Sequence, residues 1–140
     1  MKIDGDSVTR TDDADPGGSD VTIVVCSSCR DETGSDIRPS AGQRLGESTT
    51  HAARNTTIHV RQVECLGNCR RRLSAAIIRD GSWSYVFGDL TPDSGPDLIA
   101  GAELFATSTD GILPWRGRPD SLKRGLVARI PPIDLLKDPS

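Results

Sequence analysis

The four cysteines of this 140-residue chain form two close pairs, and each pair directly follows a run of β-forming residues. The pairs are Cys26 with Cys29 and Cys65 with Cys69. Residues 21–25 form a continuous β-branched run, which is typical of a strand buried on both faces. Residues 57–63 alternate apolar and polar side chains and predict a second strand. Two strands that each end at a cysteine pair strongly restrict how the chain can fold.

If these strands are parallel neighbours, both cysteine loops lie at the same edge of the sheet. In open α/β sheets, binding sites form at the edge where the parallel strands end. Four thiolates from two adjacent loops are the ligand set of a [2Fe–2S] cluster or of tetrahedral zinc. The spacing therefore predicts one metal centre held by all four cysteines.

Two other interpretations of the cysteines compete with a metal centre. Cysteine is often a small buried hydrophobic residue, but two tight pairs with no cysteine left over argue against that. A thiol–disulfide oxidoreductase could use Cys26 and Cys29 as a C-x-x-C redox pair. Such an enzyme needs only one pair, and Cys26-Ser-Ser-Cys29 has no neighbouring proline or aromatic residue. The disulfide enzyme therefore stays open as an alternative but leaves Cys65 and Cys69 unexplained.

The identity of the metal is less constrained than the ligand set. Structural zinc usually replaces a missing core, whereas this chain has the strands for a sheet of its own. Zinc sites also tend to have shorter separations than the 35 residues between the two cysteine pairs. His51 and His59 lie away from the cysteine loops. A [2Fe–2S] cluster is therefore favoured, and zinc or another soft metal remains the alternative.

An arginine run, residues 70–72, directly follows the second cysteine pair. Four thiolates leave either metal centre with a net negative charge, which neighbouring guanidinium groups would offset. The equally simple interpretation is a solvated basic patch at the start of a strand.

The remaining elements follow in an order that predicts the fold class. Ser40 with Gln43 is a possible capping box that opens a helix ending near Asn55. Strands are expected at residues 74–78 and 83–87, joined by the hairpin signal Asp80-Gly81. Proline near residue 94 opens a helix whose apolar face is Leu98, Ala102 and Phe105. The order βαβ then ββα predicts an α/β, thioredoxin-like mixed sheet with helices on both faces.

Composition divides the chain into three segments. Residues 1–20 hold six Asp against Lys2 and Arg10, and we expect a disordered acidic tail. Residues 21–108 form the metal-binding domain. Residues 109–140 are a Pro/Arg-rich C-terminal appendage that we expect to pack on the domain through Trp115 and Ile130. The alternative is that this appendage docks an acidic redox partner.

The chain also lacks the sequence features of several other classes of protein. It has no signal-peptide pattern and no apolar run long enough to span a membrane, so we expect a cytoplasmic protein. Its net charge of −3 gives no indication of nucleic acid or an anionic membrane as the main partner. Without a Gly-rich phosphate loop or a catalytic triad, we expect a metal-binding protein or electron carrier rather than an enzyme. A redox or metal-handling protein is the expected partner.

Four separated motifs resemble the DUF1636 family of small bacterial proteins described as predicted metal-binding. They are Val25-Cys-Ser-Ser-Cys-Arg30, Cys65-Leu-Gly-Asn-Cys69, Phe87-Gly-Asp-Leu90 and Ala128-Arg-Ile-Pro131. The resemblance implies a metal site at the four cysteines. The chain is also similar to thioredoxin-like [2Fe–2S] ferredoxins, in which the cluster lies on two loops at one edge of the sheet. That similarity implies a [2Fe–2S] cofactor and electron transfer.

Overall fold

A computed structural model describes residues 20–27, 39–67 and 71–136 of the chain. The predicted acidic tail, residues 1–20, lies outside the described residues except for Asp20, which is exposed. The described elements, in chain order, are β1 (Val21–Cys26), α1 (Ala41–Ala52), β2 (His59–Val63), β3 (Ala75–Arg79), β4 (Ser84–Phe87), α2 (Gly95–Ala106), α3 (Asp120–Arg124), β5 (Leu126–Ile130) and α4 (Ile133–Leu136).

The five strands form one mixed sheet in the order β2-β1-β3-β4-β5. β1 and β2 are parallel, as expected for strands joined through a helix, and the other neighbouring pairs are antiparallel. The hairpin between β3 and β4 turns at Gly81, whose φ of +71° suits glycine. The predicted α/β mixed sheet is therefore confirmed, and β5 extends it by a strand that the sequence interpretation did not include.

Helix α1 begins at the predicted capping box. The Ser40 hydroxyl accepts a hydrogen bond from the Gln43 amide at 3.1 Å, and the Gln43 side chain accepts one from the Ser40 amide at 2.8 Å. These bonds satisfy donors that the first helical turn leaves without partners. The chain leaves the helix through Asn55, which has a φ of +65°. Both predicted ends of α1 are thus confirmed within a few residues.

Helix α2 also follows its prediction. Its first turn contains Pro96, and the predicted apolar face of Leu98, Ala102 and Phe105 is completely buried. At its other end, Arg79 of β3 donates hydrogen bonds to the carbonyl oxygens of Phe105 and Ser108 at 2.8 and 2.9 Å. A cation at a helix C-terminus interacts favourably with the helix dipole, so this contact ties α2 to the sheet.

The two long helices pack against each other, and both contact β1. Their contact is close enough that a Cβ on Gly95 of α2 would collide with the backbone of Ser48 in α1. Along β1, Val21 and Ile23 point into this helical layer and are fully buried, while Thr22 and Val24 on the other face are half-buried. The prediction that β1 is buried on both faces is therefore confirmed for the face with Val21 and Ile23 and only in part for the other face.

The segment after residue 108 contributes to the core of this sheet. The side chains that pack inside are Leu113 and Leu122, which are 1% and 0% exposed. Trp115 and Ile130, which were expected to do so, are 59% and 54% exposed. Among the described residues, no helix is both long and apolar enough to cross a membrane.

Candidate metal centre

The ends of β1 and β2 bring two of the predicted ligands to one edge of the sheet. Cys26 is the last residue of β1 and is paired in register with Val63, the last residue of β2. Cys65 lies two residues after Val63 in the chain. Because the two strands are parallel, their cysteine loops leave the sheet side by side. Cys29 and Cys69 lie outside the described residues.

The start of the first cysteine loop is fixed by backbone contacts on both sides. The Ser27 amide donates a hydrogen bond to the Val63 carbonyl at 2.7 Å, and the Cys26 amide donates one to the Ser74 carbonyl at 3.1 Å. The Cys26 thiol lies 3.6 Å from the carbonyl oxygen of Glu64, directly before Cys65. Only 1% of Cys26 is exposed, so this sulfur lies at the boundary between the core and the neighbouring loop.

Cys65, in contrast, is exposed, and its sulfur accepts a hydrogen bond from within its own loop. The donor is the amide of Gly67, at 3.2 Å from Sγ. Gly67 has a φ of +76°, in the left-handed region that glycine adopts at little cost. A hydrogen bond to a sulfur ligand is one of the factors that set the potential of sulfur-bound iron. The Leu-Gly-Asn spacer thus has a chemical reason for its glycine.

Helix α1 is anchored to the first cysteine loop through its N-cap. The Ser40 hydroxyl that caps the helix also donates a hydrogen bond to the Ser27 carbonyl at 2.7 Å. The N-terminal end of α1, which carries the positive end of the helix dipole, is therefore held next to the residue that follows Cys26. This arrangement favours negative charge in the loop.

Arg71, in the arginine run that follows the second cysteine pair, contacts the loop after β4. Arg71 donates a hydrogen bond through Nε to Oδ2 of Asp89 at 2.8 Å and one through Nη2 to the Arg124 carbonyl at 3.3 Å. The backbones also meet, since the Asp89 amide donates to the Arg71 carbonyl at 2.8 Å. Arg71 therefore fixes the exit of the second cysteine loop to the β4–α2 connection. Arg70 lies outside the described residues.

Within the described ranges, no three His, Cys, Asp or Glu side chains are grouped closely enough to hold a metal ion. Both histidines are exposed, His51 on α1 and His59 on β2. The described donors at this edge are the sulfur atoms of Cys26 and Cys65, and sulfur ligands suit iron–sulfur clusters and zinc. The sequence interpretation named the cysteines but missed the roles of Gly67 and Ser40. The sequence contained a signal for each role. For Gly67 it is a glycine between two cysteines, and for Ser40 it is a capping box after the first cysteine loop.

Comparisons with known proteins identify the family of the chain and support its fold. The model of a family described as a protein of unknown function, DUF1636, matches residues 23–132. A solved structure of a thioredoxin-like [2Fe–2S] ferredoxin from Aquifex aeolicus is similar with a TM-score of 0.51 and 11% identity, covering 79% of this chain and 92% of that one. The wild-type ferredoxin at 1.5 Å resolution gives a TM-score of 0.50 and 11% identity, covering 78% and 97%. At this identity the similarity shows the fold alone, and it confirms the thioredoxin-like prediction. No curated protein matches the chain.

Proposed function

The chain belongs to the DUF1636 family, and from that premise we propose that it is a metal-binding protein that holds one [2Fe–2S] cluster for electron transfer. The proposed ligands are Cys26, Cys29, Cys65 and Cys69. We expect it to act in a reducing cytosol, where thiols remain available to bind metal.

The observation that carries the proposal is the pairing of Cys26 with Val63 at the end of two parallel strands. It puts Cys26 beside the loop that contains Cys65, at a single edge of the sheet. The similar solved structures support the choice of cluster, since both are described as thioredoxin-like [2Fe–2S] ferredoxins. We therefore favour iron and sulfide over zinc for this chain.

A bound [2Fe–2S] cluster would supply one-electron oxidation and reduction, and the chain's own residues would set its surroundings. The Gly67 amide, 3.2 Å from the Cys65 sulfur, would donate a hydrogen bond to that ligand. Cys26 is buried and Cys65 is exposed, so the two described ligands differ in their contact with water. An electron-transfer partner would approach from the exposed Cys65 side. Zinc bound by the same four thiolates is the alternative, and its function would be structural or metal-handling.

Single substitutions in the protein purified without oxygen test the assignment of ligands. We expect Cys26→Ser and Cys65→Ser each to lose the visible absorption and the iron, because each variant removes one of four thiolates. The matched control is His59→Gln, which replaces an exposed histidine on the adjacent strand β2 and should keep both.

Three results would contradict the proposal. Full iron in Cys65→Ser would remove that cysteine from the ligand set. Tightly bound zinc in the unmodified protein would transfer the site to a zinc protein. Thiols that cycle between reduced and oxidised states without metal would favour the disulfide enzyme.

A further inference from the structure

A second candidate site is a cavity of about 440 Å³ at the end of the sheet away from β2. It lies between the strands β4 and β5 and the segment 110–118. Tyr85, Asp110, Trp115, Arg118 and Arg129 contribute its polar and aromatic lining. Its volume is in the range of pockets that bind small molecules. The cysteine loops contribute none of the residues that line it.

Arg118 is the unusual residue of this cavity, because its side chain is only 7% exposed. It donates hydrogen bonds to three carbonyl oxygens: Nη2 to Leu113 at 2.7 Å, Nε to Pro114 at 3.1 Å and Nη1 to Leu122 at 3.5 Å. A guanidinium group has five N–H donors. Two of them therefore remain for a further acceptor within the described structure.

Among the described residues, no carboxylate forms a salt bridge with Arg118. The guanidinium lies over the rings of Tyr85 and Trp115, at 5.7 and 5.0 Å from their centroids. Burial lowers the pKa of Arg118, yet arginine stays protonated in proteins. Rings and carbonyls offset part of the cost of burying this cation, and an anion would offset more.

A second cation lines the same cavity. Arg129 is exposed on β5 and is near enough to lower the pKa of Arg118 slightly further. The opposing charge is Asp110, whose carboxylate accepts hydrogen bonds from the Ser108 hydroxyl at 2.7 Å and the Ile112 amide at 3.1 Å. Two cations against one anion leave the cavity with a net positive charge.

We propose that this cavity binds a small organic carboxylate with a flat apolar body. The carboxylate would accept hydrogen bonds from Arg118 and Arg129, which suit a planar two-oxygen acceptor. The apolar body would lie against Trp115, a large ring that is 59% exposed at the rim. This site is separate from the metal centre and does not depend on it.

Naphthalene-2-carboxylate is a suitable probe, and its neutral carboxamide is a control of the same shape. We expect calorimetric titration of the full chain to show saturable binding of the carboxylate at millimolar concentration or below. The carboxamide should bind about tenfold more weakly, because it lacks the charge that the two arginines recognise. Equal affinity for both compounds, or no binding of the carboxylate, would overturn the proposal.

Two variants with the same change of charge locate the site. Arg129→Gln should weaken carboxylate binding about tenfold, whereas Arg116→Gln, an exposed arginine outside the cavity lining, should change it less than about twofold. Equal losses in both variants would show that only the overall charge matters and would overturn the proposal. Arg118→Gln should abolish binding, but it also removes the carbonyl contacts. If Arg118→Gln does not fold, the result for Arg129→Gln decides the test.

Discussion

Gly67 combines a left-handed backbone with a hydrogen bond to the Cys65 sulfur, so a single substitution tests both. Among the described residues, no atom lies within 4 Å of a Cβ added at this position, so the cost expected for Gly67→Ala comes from its φ of +76°. We expect the free energy of unfolding to fall by about 1 kcal/mol, measured in urea. The visible spectrum or potential of the metal centre should change as well, because the donor amide moves.

Gly81 provides the matched control for this prediction. It has a φ of +71° and equally open surroundings, but it lies in the β3–β4 hairpin, away from the cysteines. Gly81→Ala should cost a similar amount of stability and leave the metal centre unchanged. If both variants alter the metal centre equally, the Gly67 hydrogen bond has no special role there.

Asp110 gives the fold a defined dependence on pH. The hydrogen bond from Ser108 is the largest cause that lowers the pKa of this carboxyl, followed by the one from the Ile112 amide. A group whose pKa is lower in the folded chain stabilises it above the unfolded pKa, about 3.9, and loses that effect as pH falls through the folded value. Asp110→Ala should therefore unfold at lower urea than the unmodified chain at neutral pH, and the gap should narrow in acid. A gap that stays constant with pH would contradict this role.

At the scale of elements, the N-cap of α1 links helix stability to the first cysteine loop. Ser40→Ala removes the cap acceptor and also the donor to the Ser27 carbonyl. We expect a loss of about 1 kcal/mol in the free energy of unfolding and weaker metal retention. Ser40→Asn keeps a capping oxygen and should recover part of the stability. Unchanged unfolding and metal retention in Ser40→Ala would show that this link is unimportant.

Helices and turns that depend on local chemistry could be predicted from the sequence. The contacts that the helices make with each other could not. The capping box at Ser40 and the apolar face of α2 involve residues within one or two turns, so the sequence contains the whole signal. The face on which a helix packs depends on contacts between distant residues, such as Gly95 with Ser48. A β-branched run such as residues 21–25 also has the same pattern whether a helix covers one face or both.

At the scale of the whole molecule, the segment after residue 108 is expected to be essential for stability. Leu122 of α3 is fully buried and packs so close to Gly101 of α2 that a Cβ there would collide with it. Leu122→Ala should lower the free energy of unfolding by about 3 kcal/mol, because it leaves a cavity. Ile133→Ala, at a side chain that is 71% exposed, should change it by less than about 0.5 kcal/mol. Similar small effects in both would mean that the segment is not part of the core.

For the same segment, the sequence did not predict which side chains pack in the core. Its Pro and Arg content predicts an appendage, and Trp115 is expected to pack because a lone aromatic residue in an aromatic-poor chain usually lies in the core. In the structure Trp115 lies at the rim of a cavity, and two leucines spaced nine residues apart fill the core. Their spacing matches no single helix or strand, because Leu122 lies in α3 and Leu113 lies in the segment before it. Only the fold reveals that they belong together.

We propose that four thiolates at one edge of the sheet hold a [2Fe–2S] cluster. Iron, zinc and acid-labile sulfide can be measured together in protein purified without oxygen. We expect about two irons and two sulfides per chain, with negligible zinc. One zinc per chain without sulfide, or protein that contains neither metal, would contradict it.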